Sequence, residues 1–165
     1  MDARTRRLTT GVALLLAVAL VAVGAWAFTG STGHEHATVT VSEANGTTIG
    51  VVHARVADSA TERYRGLSGT ESLANGTGMW FVYESEGARA YVMRDMRYPL
   101  DMVFVGSDGR ITKIHHAPTE EPPYREYTGR ARWVLEVPYG WTTRHGIDAG
   151  DRVTIEYGRG GDVGS

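Results

Sequence analysis

Residues 78–109 read GMWFVYESEGARAYVMRDMRYPLDMVFVGSDG and place charged side chains inside strongly apolar sequence. The apolar runs are short, contain many aromatic and β-branched residues, and are separated by turn residues. This composition predicts β-strands at 79–83, 88–93 and 101–105 rather than helices. The Ser107-Asp108-Gly109 run that follows is typical of a hairpin turn.

The same strand pattern continues on both sides of this stretch. It covers 38–57, with Asn45-Gly46 as a hairpin turn, and then 110–116, 132–137 and 152–157. No strand alternates with a long helical pattern, so a parallel α/β sheet is not expected. We predict a mainly β fold, an α+β domain with few short helices, arranged as a small antiparallel barrel or sandwich.

Two short helices are predicted within this β pattern. The first begins after a cap at Asp58 or Ser59 and ends at Gly66, and Glu62 lies three residues after Ser59 as in a capping box. The second is a single turn at 141–145.

The N-terminal residues predict a membrane segment. Residues 11–28 contain no charge and no proline, and Arg4, Arg6 and Arg7 precede them. The positive-inside rule then places the N-terminus in the cytoplasm and the β domain outside. A retained anchor is the favoured interpretation, and a cleaved signal, which would leave a secreted protein, is the alternative because residues 25–27 read Ala-Trp-Ala.

These patterns divide the chain into four parts. We predict a membrane anchor or signal segment at 1–30, a flexible tether at 31–37, a β domain at 38–158 and a disordered tail at 159–165.

Composition excludes several classes of protein. The chain has no cysteine, which excludes disulfides, thiolate metal sites and cysteine nucleophiles. Its net charge is -2 and Lys113 is its single lysine, so we expect no nucleic-acid partner. No motif for a cofactor is present, and none is predicted.

Three blocks of sequence resemble the family of unknown function called DUF192, or UPF0127. They are RGLSGTESLANGTGMWFVY at 65–83, YVMRDMRYPLDMVFVGSDGRITKI at 91–114 and RWVLEVPYGWTTRHGIDAGDRV at 132–153. The resemblance implies a small, mainly β domain that is often exported or membrane-anchored and has no agreed activity.

The second block departs from the family pattern where that pattern is most polar. The family typically reads M-K-N-T, and this chain has Met93, Arg94, Asp95 and Met96 in those places. Arginine keeps the positive charge of lysine, whereas aspartate exchanges a two-sided amide for an anion that only accepts hydrogen bonds.

The charged residues of this block suggest a site. A lone buried charge is costly, so Arg94, Asp95 and Asp101 must be paired or solvated. One interpretation is a structural bridge from Arg94 to a carboxylate, and the other is a pocket in which Arg94 binds an anion. The candidate ligand pocket comprises six residues: Trp80, Met93, Arg94, Asp95, Asp101 and Glu136.

Other candidate sites are weaker. Glu136 is expected to face solvent, since a glutamate on a strand is usually exposed. If the strand is instead buried on both sides, Glu136 needs a cation such as Arg94. His34 and His36 in the tether are weak candidates for a divalent metal, and otherwise no metal site is predicted. His115 and His116 must point to opposite faces of a strand.

Four methionines fit a soft-metal site, but core filling is favoured. They are Met79, Met93, Met96 and Met102.

Two functional hypotheses follow. The favoured one is a membrane-anchored extracytoplasmic domain that acts as a non-catalytic binding or accessory module for an unknown small ligand or protein partner. The alternative is a hydrolase-like enzyme that uses Arg94, Asp101 and Glu136 in one pocket. No catalytic signature supports the enzyme.

Overall fold

The computed structural model describes residues 35–158. The predicted anchor, most of the tether, the tail and His34 lie outside the described residues. Within the described part of the chain, neither helix has the length and apolar character needed to span a membrane.

The described chain forms seven strands and two short helices, which confirms the mainly β prediction. The strands are β1 (His36–Ser42), β2 (Thr48–Ala57), β3 (Thr77–Tyr91), β4 (Leu100–Val105), β5 (Ile111–Ala117), β6 (Tyr127–Pro138) and β7 (Arg152–Tyr157). The helices are α1 (Ala60–Arg65) and α2 (Trp141–His145).

All seven strands belong to one sheet in the order β5-β4-β6-β3-β2-β1-β7. The sheet is mixed rather than wholly antiparallel, because β2 and β3 run parallel. The chain between them passes through α1 and a loop, and such a crossover is what a parallel pair requires. The sheet does not close into a barrel, although an isolated bridge between Arg110 and Arg152 links its two ends.

The predictions that rest on residues close together in the sequence are confirmed. Ser59 caps α1, its hydroxyl accepts a hydrogen bond from the Glu62 amide at 3.2 Å, and the Glu62 carboxylate accepts one from the Ser59 amide at 3.0 Å. Gly66 ends the helix at φ 52°. The predicted hairpins are also present, since β1 pairs with β2 and β4 pairs with β5, both antiparallel.

The prediction of two strands at 79–83 and 88–93 was wrong. They are one strand, β3, which runs from Thr77 to Tyr91 and pairs with β6 on both sides of an irregularity between Val82 and Gly87. A bulge of this kind bends a strand without ending it.

The sheet is covered on both faces. One hydrophobic cluster includes Trp80, Val103, Leu135 and the α2 residue Trp141. The other cluster lies on the opposite face, where α1 and the loop after it pack, and all six residues of β4 are buried between the two. Because successive strand residues point to opposite faces, polar residues on β4 and β6 are buried whichever way they point.

Candidate functional site

Glu136 is the most unusual side chain of the described domain. It lies on β6 between Met79 of β3 and Met102 of β4, and only 5 % of it is exposed. No hydrogen bond or ion pair reaches its carboxyl group from any described residue. Burial raises the pKa of Glu136 to about 8. The expectation that this glutamate faces solvent was therefore wrong, because the second cluster covers a face of β6 that the sequence pattern left open.

The Glu136 carboxyl lies in a pocket of about 220 Å³. Its buried lining is apolar and includes Leu67, Phe81, Met93 and Leu100. Arg63, Arg65 and Arg94 are the positively charged members of the lining and are half-buried or exposed, and we call these three the arginine rim.

Two members of the arginine rim, Arg63 and Arg94, are held by backbone carbonyls and aromatic rings rather than by acids. Arg94 donates to the Tyr64 carbonyl at 2.8 Å, and its guanidinium lies 4.3 Å from the centre of the Tyr64 ring. Arg63 donates to the Val82 carbonyl at 2.9 Å and to the Asp58 carbonyl. Among the described residues, no carboxylate forms an ion pair with any member of the rim.

Two tyrosines complete the pocket wall. The hydroxyls of Tyr83 and Tyr91 lie 2.9 Å apart, and the Tyr91 ring packs edge-on against Phe81 at 5.2 Å. Burial raises the pKa of the Tyr91 phenol, so it stays protonated and can donate. The sequence allowed Tyr83 and Tyr91 as possible lining of a ligand groove but favoured an aromatic core for them, and it did not place the two arginines of α1 in the pocket.

Asp101 lies on the other face of the sheet and has a structural role. It is fully buried and accepts four hydrogen bonds from the residues around α2. The donors are His116 Nδ1 at 2.7 Å, Gly140 N at 3.0 Å, Thr142 N at 2.9 Å and Thr142 Oγ1 at 2.7 Å. Because Gly140 has no side chain to cap α2, Asp101 supplies the cap from β4.

The predicted bridge between Arg94 and Asp101 does not form. The partner of Asp101 is His116, which the register of the β4–β5 hairpin places directly opposite it. The register shifts by one residue between Phe104 and Val105, so counting outward from the Ser107-Asp108-Gly109 turn would have paired Asp101 with His115 instead.

Asp95 occupies a tight turn rather than the pocket. It is exposed, its φ is 53°, and its carbonyl accepts a hydrogen bond from the Gly69 amide at 3.0 Å. Asparagine and aspartate tolerate this left-handed conformation better than most residues. The aspartate in the place of the family's asparagine therefore meets a backbone requirement, and its carboxylate is not needed for chemistry in the pocket.

The six predicted pocket residues divide into two groups. Met93, Arg94 and Glu136 line the pocket. Trp80 does not, because it is fully buried on the opposite face and stacks against Trp133 with ring centres 6.1 Å apart. Asp95 and Asp101 also lie outside the pocket, for the reasons given above.

Metal-binding groups are dispersed in the described chain. His36 is exposed at the start of β1, and no three histidine or acidic side chains between residues 35 and 158 are grouped as metal ligands. The methionines belong to the second hydrophobic cluster, three of them buried and Met96 packed against it. His115 and His116 point to opposite faces, as predicted, since His115 contacts Phe104 and His116 contacts Asp101.

A family model matches the chain over residues 40–155, and its description is DUF192, uncharacterised ACR. The pocket is built from all three sequence blocks that resemble this family. The first contributes Gly66 and Leu67, the second contributes Met93 and Leu100, and the third contributes Glu136.

Two solved structures are similar to this fold. One is a protein of Sinorhizobium meliloti proposed to be a transcription regulator, with a TM-score of 0.67 and 28% identity over 76% of this chain and 98% of that chain. The other is a protein of unknown function from Novosphingobium aromaticivorans, with a TM-score of 0.64 and 30% identity over 71% of this chain and 83% of that chain. No curated protein matches the chain significantly.

Proposed function

Because the chain belongs to the DUF192 family, which is uncharacterised, we propose a function from its own residues: a non-catalytic binding module on the outer side of a membrane. Residues 11–28 hold it there, and the ligand enters the pocket above Glu136.

One observation carries the binding role, namely a buried carboxyl group that opens into a pocket and has no partner. Burial takes Glu136 out of bulk water, while its carboxyl group still opens into the pocket. Pockets for small ligands typically combine an apolar wall with a few polar groups, and a ligand that donates to Glu136 would offset its lost hydration.

The enzyme alternative has less support. It needs Arg94, Asp101 and Glu136 to converge, but Asp101 lies on the opposite face with four donors on its carboxylate. The pocket hydroxyl of Ser68 donates to the Arg94 carbonyl at 2.9 Å instead of to a base. The Sinorhizobium protein is proposed to be a transcription regulator, but the net charge of -2 of this chain does not favour a nucleic-acid partner.

A ligand screen tests the binding role. The full-length chain in mild detergent is heated with single compounds from panels of anions, sugars, amines and amino acids, and the melting temperature is measured for the wild type, Glu136→Gln and Glu84→Gln. Glu84 is an exposed glutamate on β3 outside the pocket, so it is the matched control. A compound that stabilises the wild type and Glu84→Gln but not Glu136→Gln supports the proposal. If no compound distinguishes Glu136→Gln from the control, the proposal fails.

Cysteine labelling tests the membrane orientation. The chain has no cysteine, so Ala3→Cys and Ser165→Cys each introduce a single thiol at one end. In intact cells, a membrane-impermeant maleimide should label Ser165→Cys and spare Ala3→Cys, and both should react after lysis. The opposite pattern, or protection of both ends until lysis, would place the β domain inside.

A further inference from the structure

We infer that the pocket binds a small zwitterion, with a primary ammonium at Glu136 and an anionic group at the arginine rim, joined by an apolar spacer. This inference deepens the proposed function and rests on it.

The inner end of the pocket, at Glu136, favours a ligand group that donates hydrogen bonds. Glu136 has no donor within the described domain, and the Met79 and Met102 side chains beside it supply only weak thioether acceptors. A primary ammonium brings three N–H donors and the positive charge that a buried carboxylate needs. A ligand without a donor at this end would exclude solvent from Glu136 without replacing its hydrogen bonds.

The wall of the pocket suits a short hydrocarbon spacer. Leu67, Phe81, Met93 and Leu100 present apolar surface between Glu136 and the rim. Aromatic faces also attract a cation that passes them. A polar spacer would lose its hydration along this wall without gaining hydrogen bonds.

The outer end of the pocket, at the arginine rim, favours an anionic group on the ligand. Arg63, Arg65 and Arg94 carry three positive charges at its mouth, and no carboxylate of the described chain pairs with them. Arg94 is held in place by the Tyr64 carbonyl and ring, so it is positioned before a ligand arrives. Guanidinium groups bind carboxylates and phosphates with particularly good geometry.

The two ends act on the ligand separately. Among the described residues, no ion pair joins Glu136 to a guanidinium group of the rim. Arg63 and Arg94 donate to backbone carbonyls instead. A molecule that carries both charges, separated by a spacer, can contact both ends.

Binding should also move a proton. Below about pH 8 the empty pocket holds Glu136 as the neutral acid, whereas an ammonium favours the carboxylate. The other charged or titratable groups that line the pocket are Arg63, Arg65, Arg94, Tyr64, Tyr83 and Tyr91. Close to one proton should therefore leave Glu136 for each ligand bound.

Calorimetry with ε-aminocaproate tests the inference. This probe has an ammonium, a hydrocarbon spacer and a carboxylate, whereas hexylamine lacks the carboxylate and caproate lacks the ammonium. The full-length chain in mild detergent is titrated with each at pH 7 in two buffers that differ in ionisation enthalpy. We expect ε-aminocaproate to bind more than about tenfold more tightly than either half-ligand, with a buffer-dependent heat that reports proton release.

Matched variants separate the two ends of the pocket. Glu136→Gln should weaken ε-aminocaproate by more than about tenfold and abolish proton release, while Glu84→Gln leaves both unchanged. Arg94→Gln and Arg65→Gln should bring the affinity for ε-aminocaproate down toward that for hexylamine. Arg97→Gln is their control, because Arg97 pairs with Glu71 on the surface outside the pocket.

Two results would overturn the inference. If hexylamine binds as tightly as ε-aminocaproate, the arginine rim does not contact the ligand. If ε-aminocaproate and its shorter homologue γ-aminobutyrate give no binding heat, the pocket does not take zwitterions. The proposed function would survive either result if another compound in the thermal screen still depends on Glu136.

Discussion

At the scale of single residues, two buried carboxyl groups of this domain have opposite surroundings. Asp101 is fully buried and receives four hydrogen bonds, whereas Glu136 is almost as buried and receives none from the described residues. Hydrogen bonds to a carboxylate favour its charged form, while burial alone disfavours it. Asp101 is thus suited to hold α2 against the sheet, and Glu136 is left available for a ligand.

The raised pKa of Glu136 predicts a pH dependence of stability. The native state keeps this proton up to about pH 8, whereas the unfolded chain releases it near pH 4.5. The native state binds more protons between these values, so its free energy of unfolding should fall by about 1 kcal/mol for each pH unit as pH rises through this window. Urea unfolding at several pH values measures the slope.

Substitution isolates this contribution from that of the histidines. Glu136→Gln should remove the part of the slope that Glu136 causes and should be more stable than the wild type at pH 8. Glu84→Gln should keep the wild-type slope. Parallel pH profiles for the wild type and Glu136→Gln would show that Glu136 titrates normally.

Asp101→Asn should destabilise the fold strongly. The asparagine amide nitrogen would face an N–H or O–H donor where the aspartate now presents an acceptor, and the cap on α2 would be lost. We expect a loss of about 2–4 kcal/mol in the free energy of unfolding, measured with urea. Glu71→Gln, which removes an exposed ion pair with Arg97, should change stability little. A loss as small as that of Glu71→Gln would mean that Asp101 is not a structural cap.

At the scale of elements, one side of the pocket is assembled from α1, the loop after it and the turn between β3 and β4. Three hydrogen bonds connect them: Ser68 Oγ to the Arg94 carbonyl at 2.9 Å, Gly69 N to the Asp95 carbonyl at 3.0 Å, and Arg94 to the Tyr64 carbonyl at 2.8 Å. The turn therefore positions both Met93 and Arg94 in the pocket wall.

The left-handed backbone of Asp95 gives a prediction for this turn. Asp95→Asn should preserve stability, because asparagine adopts the same conformation easily. Asp95→Val should cost about 1–2 kcal/mol, since a β-branched side chain clashes there. Thermal unfolding of the two variants checks this, and equal melting temperatures would contradict a backbone role for Asp95.

Elements encoded by neighbouring residues could be predicted from the sequence, and the pocket could not. The capping box of α1 spans only Ser59 to Glu62, and the β4–β5 hairpin is set by its own turn. The parallel pairing of β2 with β3 and the burial of Glu136 depend on how α1 crosses over the sheet. That crossover brings together residues that are far apart in the sequence, so no local sequence pattern predicts it.

At the scale of the whole molecule, the single sheet separates the face that holds Asp101 from the face that holds Glu136 and the pocket. The face that holds Trp80 and Asp101 is closed by α2, and the face that holds Glu136 is only partly closed by α1. The fold class followed from composition and strand spacing. The different surroundings of the two faces could not be predicted without the register of β4 and β6. That register decides that Asp101 and Glu136 point in opposite directions.

The bridge that links the ends of the sheet affects how copies of this domain associate through their strand edges. Val153 N donates to the Gly109 carbonyl at 2.7 Å and Ile111 N donates to the Asp151 carbonyl at 2.9 Å, so backbone groups that would otherwise be open at two sheet edges are occupied. The bridged residues, Arg110 and Arg152, also add positive charge at this position. Unpaired, uncharged strand edges invite intermolecular β-pairing and aggregation. The bridge thus protects the domain against edge-to-edge association when many copies are crowded together.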